Sequence, residues 1–247
     1  MNPEKTNTFR HAEMFGGRTH RAMPTSASNG GEIIFRPFDA ANSGVRPPFS
    51  VRKLRHPLFS WFGLRPIIAQ HTRAEHDALL RWVCDRRTVV EIGVAEGASA
   101  CALREAMSPE GILYLIDPFH LSRVPLINTL RRAAHAAVAQ FGACRVVWIE
   151  QFSQAAVGNW REPIDLLFID GDHEESAVRK DWDDWSRFVV PGGVVLFHDA
   201  RVFENGWPDL TYGPVRVVNR LFRDGEAIEW RIVEEADSLI VVERKEG

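Results

Sequence analysis

The chain has 247 residues, of which 45% are hydrophobic and 26% charged, so it is long enough for one large domain with an extension and has an ordinary globular composition. Since no apolar run approaches the roughly 20 residues of a membrane span and the first thirty residues lack the apolar core of a secretory signal, we expect a cytoplasmic protein that makes no membrane contact. Three widely spaced cysteines, Cys84, Cys101 and Cys144, include no CxxC pair and do not indicate a zinc site, so we expect them to be reduced and buried.

The net charge of −3 is unevenly distributed along the chain. Residues 1–73 carry a balance of +7, whereas residues 74–247 carry −10. A basic arm on an acidic body could bind nucleic acid, fold over its own domain or contact a partner subunit. The opposite signs within one chain favour protein contact, so we expect a homo-oligomer formed through the N-terminal segment, with nucleic acid as the less favoured partner.

The N-terminal third is predicted to hold two segments. Residues 1–45 are polar and lack a sustained hydrophobic period, which predicts a poorly structured basic arm. Residues 46–84 are predicted to form a cap or lid with one helix. Within them, residues 47–66 interleave aromatic and leucine side chains with basic ones, and we expect this stretch to dock on the main domain, another subunit or a substrate. Thr72 and Glu75 have the spacing of a capping box before an apolar helical stripe, which predicts the helix.

The main domain, residues 85–247, begins with an apolar and glycine-containing stretch, Thr88 to Ala100. Its apolar run ends in Glu91, passes through Gly93 and Gly97, and leads into small residues that can start a helix. This order predicts a strand, a tight glycine turn and a helix N-terminus, where backbone N–H groups can face a nucleotide-like ligand. The alternative is a loop that only reverses the chain direction and binds no ligand. The motifs farther along the chain distinguish the two interpretations.

Strands and helices alternate downstream of this stretch. Apolar runs predict strands at residues 111–117, 144–150, 164–170 and 194–199. Helices are predicted at residues 99–107, 126–141 and 215–222, and a further helix carries an inward stripe that ends at Val189, with Pro191 to Gly193 as its stop. Two final runs, AIEWRIV and SLIVVE, predict an antiparallel hairpin at the sheet edge.

This alternation predicts an α/β fold with a Rossmann-like, doubly wound, seven-stranded sheet that is mostly parallel and ends in the antiparallel hairpin. Ligands bind such sheets at the carboxyl ends of the strands. Four predicted strands end in acids, namely Glu91, Asp117, Asp170 and Asp199. Because a carboxylate beside a core is costly unless it is paired or hydrogen-bonded, these acids indicate a functional edge.

Four motifs together point to one family. They are EIGVAEG, IDP, FIDGDH and PGGVVLFHD, and they lie between Thr88 and about Glu243. A dinucleotide enzyme would carry GxGxxG, whereas the central glycine position here is Ala95, which weakens a dehydrogenase interpretation. The combination resembles the class I S-adenosylmethionine-dependent methyltransferases, and most closely methyltransferase family 24, which includes macrolide and sugar O-methyltransferases, and the metal-dependent O-methyltransferases of the catechol type.

The resemblance implies a cofactor site for S-adenosylmethionine in the loops that follow the strands. The implied cofactor-binding residues are Glu91, Gly93, Val94, Gly97, Ser99, Asp117, Ser153, Gln154 and Asp170. The two glycines leave room for the methionine part, Glu91 accepts from loop N–H groups or the cofactor ammonium, and Asp117 binds both ribose hydroxyls. Alternatively, Asp117 caps the turn at Pro118. Ser153 and Gln154 match the adenine-edge position, although Ser153 could also be a helix N-cap.

A divalent metal is the second implied cofactor. Asp170, His198 and Asp199 lie where metal-dependent members hold an ion that lowers the pKa of the substrate hydroxyl. The family commonly has Asp-Asp or Asp-Asn where this chain has His198 and Asp199. Because magnesium prefers oxygen ligands, the imidazole puts magnesium in doubt and leaves manganese, another transition metal or no metal open.

The predicted catalytic residues are His173, Asp170 and Asp172. His173 falls where catechol-type relatives carry a basic residue, and its ordinary pKa near 6.5 suits proton removal at neutral pH. Asp172 either orients His173 or joins the metal shell, while the alternative is that both residues cap the following helix. His120 is a weaker candidate for the base.

The predicted function is methyl transfer to a hydroxyl of a small metabolite such as a natural product, a sugar or a phenol. A nucleic-acid methyltransferase that uses the basic arm is the first alternative, but IDGD replaces the NPPY-like tetrad that such enzymes usually carry. A cofactor-binding module without catalysis is the second alternative. The presence of His173, His198 and two strand-end acids in one chain speaks against it.

Overall fold

The structure, a computed structural model, describes residues 33–35, 67–120 and 128–247. The predicted docking stretch at residues 47–66, almost all of the basic arm, and therefore the proposed oligomer contact lie outside the described residues. One element inside the arm was not expected from the sequence: strand β1 (Ile33–Phe35) pairs in parallel with β2 (Ile67–Ala69) as a separate two-stranded sheet.

The main sheet has seven strands in the order β5-β4-β3-β6-β7-β9-β8, which confirms the predicted fold. Its strands are β3 (Thr88–Ile92), β4 (Ile112–Ile116), β5 (Arg145–Ile149), β6 (Ile164–Ile169), β7 (Val189–Phe197), β8 (Trp230–Ala236) and β9 (Leu239–Arg244). The first five are parallel, and β9 is antiparallel to both β7 and β8. The strand order reverses between β3 and β6, the position at which such sheets open a ligand crevice.

Helices cover both faces of the sheet. They are α1 (Arg73–Val83), α2 (Ala98–Ala106), α3 (Thr129–Val138), α4 (Ser153–Ala156), α5 (Glu175–Trp185) and α6 (Gly213–Val218). One apolar cluster joins α1, α2 and α3 to the sheet through Leu79, Leu103 and Val138. A second cluster joins α4, α5 and α6 to the opposite face through Trp185 and its neighbours. None of the helices in the described ranges is long and apolar enough to cross a membrane.

Helix α1 begins with the predicted capping box. The Thr72 hydroxyl accepts from the Glu75 backbone N–H at 3.2 Å, and Glu75 Oε2 accepts from the Thr72 N–H at 2.7 Å. Two of the N–H groups that a helix start leaves unpaired are therefore satisfied by side chains.

Two expectations need correction. The helix at residues 175–189 ends earlier, at Trp185, and a short 3-10 turn leads to β7, so Val189 and Pro191 to Gly193 belong to a strand. The pairing of β6 with β7 changes register within this stretch, which accommodates the proline and glycines as a bulge. The expectation that all three cysteines are buried is also wrong, because Cys84 is exposed at the end of α1.

Candidate functional site

A cleft of about 730 Å³ lies along the carboxyl ends of β3, β4, β5 and β6. Seven of the residues predicted for the site line it: Gly93, Asp117, Ser153, Gln154, Asp170, Asp172 and His173. The other six are buried and do not line the cleft: Glu91, Val94, Gly97, Ser99, His198 and Asp199. His120 also lines the cleft, with its ring 5.3 Å from that of Phe152.

Packing against β6 explains why the turn after β3 has a glycine at its first position, Gly93. Gly93 has φ +88°, and a Cβ at this position would overlap the backbone carbonyl of Asp170. Gly97 has the same φ and is the N-cap of α2. Ala95 sits between them at φ +48°, a left-handed conformation that is strained for alanine. Gly93 is therefore required because the turn after β3 packs closely against the backbone at the end of β6.

Asp117 fastens this turn to the neighbouring loop. Its Oδ2 accepts from the Val94 N–H at 2.9 Å and the Ala95 N–H at 3.0 Å, while Oδ1 accepts from the Phe119 N–H at 2.7 Å. The capping alternative for Asp117 is thus correct as a local description. A carboxylate has about four lone-pair sites, so these three bonds leave capacity for a ligand hydroxyl at the cleft wall.

Glu91 lies beneath the turn and does not reach the cleft. It is fully buried, and its carboxyl accepts a hydrogen bond from the Ser99 hydroxyl at the start of α2. Its other oxygen has no partner among the described residues. Burial raises the pKa of Glu91 to about 8, an effect that the Ser99 hydroxyl opposes and that the negative charges of Asp170 and Asp117 reinforce.

After β5, the hydroxyl of Ser153 is hydrogen-bonded to Asp181, an acid that the sequence analysis did not identify. The N-cap of α4 is Phe152, so the interpretation of Ser153 as the N-cap is wrong, and its hydroxyl donates instead to Asp181 on α5. Asp181 is buried, lines the cleft, and has its pKa raised to about 6, chiefly by burial. It lies three residues after Val178, on the inward stripe of α5, and this spacing was the signal that could have revealed it.

His198, at the end of β7, is surrounded by carboxylates. Its Nδ1 lies 3.0 Å from Asp170 Oδ1 and 3.3 Å from Asp199 Oδ1, and its Nε2 lies 3.3 Å from Glu75 Oε2. Only 3% of its side chain is exposed. Burial alone would lower the pKa of His198, but the carboxylates of Asp170 and Asp199 together with hydrogen bonds to Asp170 and Glu75 raise it well above its ordinary value. We refer to these four residues as the His198 cluster.

Glu75 enters this cluster from α1, a helix for which the sequence indicated only a local cap. Its Oε1 accepts from the backbone N–H and the hydroxyl of Ser238 at 2.8 and 2.6 Å. Burial would raise the pKa of Glu75, yet hydrogen bonds from His198, Ser238 and Thr72 lower it below its ordinary value. Glu75 therefore remains ionised while fully buried.

His173 is paired with the acid at the end of β7. Its Nε2 lies 3.0 Å from Asp199 Oδ2 and 3.8 Å from Asp170 Oδ1, and its ring stacks on Tyr212 with centroids 5.4 Å apart. Asp199 is fully buried and has φ +55°, a strained conformation of the kind that functional sites often retain. Asp172 accepts instead from the Glu174 backbone N–H at 3.0 Å, so it caps the loop before α5, and Asp199 is the acid that orients His173.

The two ring nitrogens of His198 face different acids: Nε2 faces Glu75, whereas Nδ1 faces Asp170 and Asp199. Because a metal-bound histidine commonly donates its other N–H to a carboxylate, an ion bound by His198 would lie on the Nδ1 side. Within the described ranges, no group of three or more His, Cys, Asp or Glu side chains has a metal-binding arrangement.

Comparison with known proteins agrees with the geometry. Residues 90–200 match a family model described as a methyltransferase domain, family 24. The resemblance inferred from the sequence motifs is thereby confirmed over that segment, which is less than half of the chain. A protein named y4gI from Sinorhizobium fredii is 43% identical over 44 residues, which is 18% of this chain and only 5% of the length of that relative.

Solved structures share the fold at low sequence identity. A protein from Corynebacterium glutamicum is 15% identical, with 81% of this chain and 93% of that chain covered at a TM-score of 0.57. The O-methyltransferase TomG from Streptomyces achromogenes, solved with S-adenosylmethionine, is 17% identical, with 80% and 91% covered at 0.51. An O-methyltransferase from Bacillus cereus, solved with S-adenosylhomocysteine, is 16% identical, with 80% and 93% covered at 0.50.

Proposed function

We propose that the chain transfers a methyl group from S-adenosylmethionine to a hydroxyl group of a small metabolite. The observation that carries the proposal is the pairing of His173 with buried Asp199 on the wall of a cleft that also contains Gly93, Asp117 and Ser153. Its volume of about 730 Å³ falls in the range of small-molecule sites, which is about 300–1,000 Å³.

The residues present fit the cofactor. Asp117 keeps capacity for one ribose hydroxyl while it holds the glycine turn. We assign Ser153 and Gln154, which line the same cleft, to the adenine edge. The cofactor carries positive charge on its sulfonium and ammonium groups, which suits a wall that is rich in carboxylates. These acids are Asp117, Asp170, Asp172, Glu174, Glu175 and Asp181.

The chemistry divides between the cofactor and this chain. The cofactor supplies an electrophilic methyl group that a substrate oxygen attacks. His173 takes the proton of the attacking hydroxyl on Nδ1, because its Nε2 faces Asp199 Oδ2 at 3.0 Å. The charge of Asp199 stabilises the imidazolium that forms, and Tyr212 limits rotation of the ring through stacking.

The same wall argues against a nucleic-acid substrate. Six acids line the cleft, with Arg216 as the arginine among the lining residues, so a phosphate backbone would meet unfavourable charge. Binding through the basic arm remains the less favoured alternative. We retain a cytoplasmic location and self-association through the N-terminal segment as proposals.

Two variants test the proposal in one experiment. Calorimetric titration with S-adenosylhomocysteine should show binding to the wild-type chain and roughly 10- to 100-fold weaker binding to Asp117→Asn, because a charge-assisted hydrogen bond contributes about 1.5–3 kcal/mol. His173→Asn should bind within about twofold of wild type and lose roughly 10²- to 10⁴-fold in turnover with any hydroxylated acceptor found by radiolabelled methyl transfer.

His135→Asn is the matched control, since His135 stacks on Trp148 and is not part of the cleft wall. It should retain turnover. Failure of the wild-type chain to bind the cofactor product would refute the proposed function, and unchanged turnover of His173→Asn would remove that residue from the mechanism.

A further inference from the structure

One carboxylate in the cleft wall, that of Asp181, has an oxygen that the fold itself does not use. Asp181 lies on α5, is only 3% exposed and lines the cleft. Its Oδ1 accepts from the Ser153 hydroxyl, whereas its Oδ2 makes no hydrogen bond within the described ranges. Because a buried carboxylate is costly unless its oxygens are hydrogen-bonded, Oδ2 indicates a ligand that donates a hydrogen bond at this point of the wall.

The neighbouring backbone at Gly171 leaves Oδ2 open to the cleft. Gly171 lines the same cleft, and a Cβ on it would lie 3.5 Å from Asp181 Oδ2. A side chain at this position would therefore contact the oxygen and narrow the approach to it. Unlike Gly93, Gly171 does not have a positive φ, so its backbone conformation does not require glycine. The lack of a side chain at Gly171 instead gives a ligand access to Oδ2.

The Ser153 hydroxyl presents only lone pairs to the cleft. A hydroxyl has one O–H donor, and that of Ser153 is directed at Asp181. Burial raises the pKa of Asp181 to about 6, so at pH 8 the carboxyl is ionised and has no proton to donate. The Ser153 oxygen and Asp181 Oδ2 are therefore two neighbouring acceptors, and they match a ligand group that carries more than one N–H donor.

The strand order indicates which part of the cofactor meets these acceptors. Asp117 follows β4, and Ser153 follows β5, the adjacent strand at the edge of the sheet. Adjacent strands are about 4.8 Å apart, so a base attached to a ribose at Asp117 reaches the wall beside Ser153. The exocyclic amino group of adenine carries two N–H donors, which match the two acceptors in number and in sign.

We propose that Asp181, together with Ser153, selects adenine in the cofactor by accepting hydrogen bonds from its exocyclic amino group. The inference rests on the proposed function, and it makes Asp181 a specificity-determining residue supplied by α5. A purine with a carbonyl oxygen in place of the amino group would direct lone pairs at both acceptors. A site built to accept from an N–H rejects an analogue that lacks it, because the buried acceptors are then left unpaired.

Calorimetric titration with two ligands tests the inference. S-adenosylhomocysteine and S-inosylhomocysteine differ at position 6 of the purine, which carries an amino group in the first and a carbonyl oxygen in the second. At pH 8, the full-length wild-type chain should bind the adenosyl ligand roughly 10- to 100-fold more tightly. Asp181→Asn keeps an acceptor for Ser153 and can present N–H donors to the cleft, so the two affinities should come within about threefold of each other.

Asp183→Asn is the matched control. It makes the same charge change on the same helix, but Asp183 is exposed, pairs with Arg179 and is not part of the cleft wall. This variant should keep the wild-type ratio of the two affinities. If Asp181→Asn does not fold, as judged from its melting temperature, Gly171→Ala replaces it. That variant retains the carboxylate and places a methyl group against Oδ2, so its ratio should also fall.

The ratio of the two affinities separates a role in selectivity from a role in folding. Equal binding of both ligands by the wild-type chain would overturn the inference and leave the proposed function intact. An unchanged ratio in the folded variant would do the same, even if both affinities fell, because Asp181 would then only support the packing of α4 on α5. Failure of the wild-type chain to bind either ligand would refute the proposed function, and the inference with it.

Discussion

The two sides of the cleft are held together in different ways. On the glycine-turn side, formed by the loops after β3 and β4, the carboxylate of Asp117 accepts from backbone N–H groups that lie within one strand–helix unit of it. On the histidine side, formed by His173 and the His198 cluster, side chains from α1, β6, β7 and the β8–β9 turn pair with one another. The glycine-turn side is held by contacts within one segment of the chain, whereas the histidine side requires segments that are far apart in the sequence.

The largest expected effect comes from Asp199→Asn on the histidine side. Loss of the carboxylate removes the negative charge that stabilises a His173 imidazolium, so turnover should fall by roughly 10²- to 10⁴-fold while affinity for S-adenosylhomocysteine changes little. Turnover and calorimetric affinity, measured on the same preparation, would check this. Equal losses of turnover and of cofactor affinity would indicate a purely structural role.

Glu75→Ala should give the next largest effect, this time on stability. It removes one acid from a buried charge pair and leaves Ser238 and His198 without their acceptor, which should cost about 3–5 kcal/mol of unfolding free energy. Urea denaturation measures this loss. Thr72→Ala is the reference, since it removes the helix cap and should cost about 1 kcal/mol. Similar losses in the two variants would mean that Glu75 acts only as a cap.

Gly93→Ala examines the glycine-turn side. A Cβ at Gly93 would overlap the Asp170 carbonyl at a backbone φ of +88°, so we expect a loss of at least about 2 kcal/mol. Gly225→Ala is a matched control, because Gly225 has φ +85° and open space around its Cβ position. It should cost about 1 kcal/mol, the strain of the left-handed backbone alone. Equal losses would show that the turn and β6 can move apart.

Glu91→Gln should change the pH dependence of stability. The folded chain keeps the Glu91 proton up to pH about 8, whereas the unfolded chain releases it near its ordinary pKa of about 4.3. The unfolded state therefore binds fewer protons between these values, and Glu91 lowers stability as pH rises through this window.

In the glutamine variant, the free energy of unfolding should no longer fall with pH in this window, a fall of at most about 1.4 kcal/mol per pH unit in the wild type. The Ser99 hydroxyl keeps an acceptor, because the glutamine side chain also carries a carbonyl oxygen. Urea denaturation of both chains at several pH values would measure the difference. Parallel curves across the window would show that Glu91 is ionised in the fold.

Sequence patterns predicted several features that the structure has. Strand–helix alternation predicted the sheet, and the spacing of Thr72 and Glu75 predicted the start of α1. The strand-end acids Asp117, Asp170 and Asp199 do lie at one edge, because parallel strands bring their carboxyl ends together.

The missed features depend on pairings between distant segments. Glu75 accepts a hydrogen bond from Ser238, which is 163 positions away in the chain. No sequence motif at either residue predicts this contact. Asp181 lies on the inward stripe of α5, and the hydroxyl that makes its burial tolerable comes from Ser153, 28 positions earlier. Pro191 to Gly193 were read as a helix stop because their inclusion in β7 requires a bulge that only pairing with β6 reveals.

The contacts of Glu75 also set a limit on how this protein can be divided or recombined. The recognisable methyltransferase segment spans residues 90–200, yet one carboxylate of the His198 cluster comes from upstream of it and the group that holds that carboxylate comes from downstream. A chimera that exchanges the leading helix for that of another protein would separate Glu75 from His198 and Ser238. The smallest transplantable unit therefore extends from Thr72 to at least Ser238.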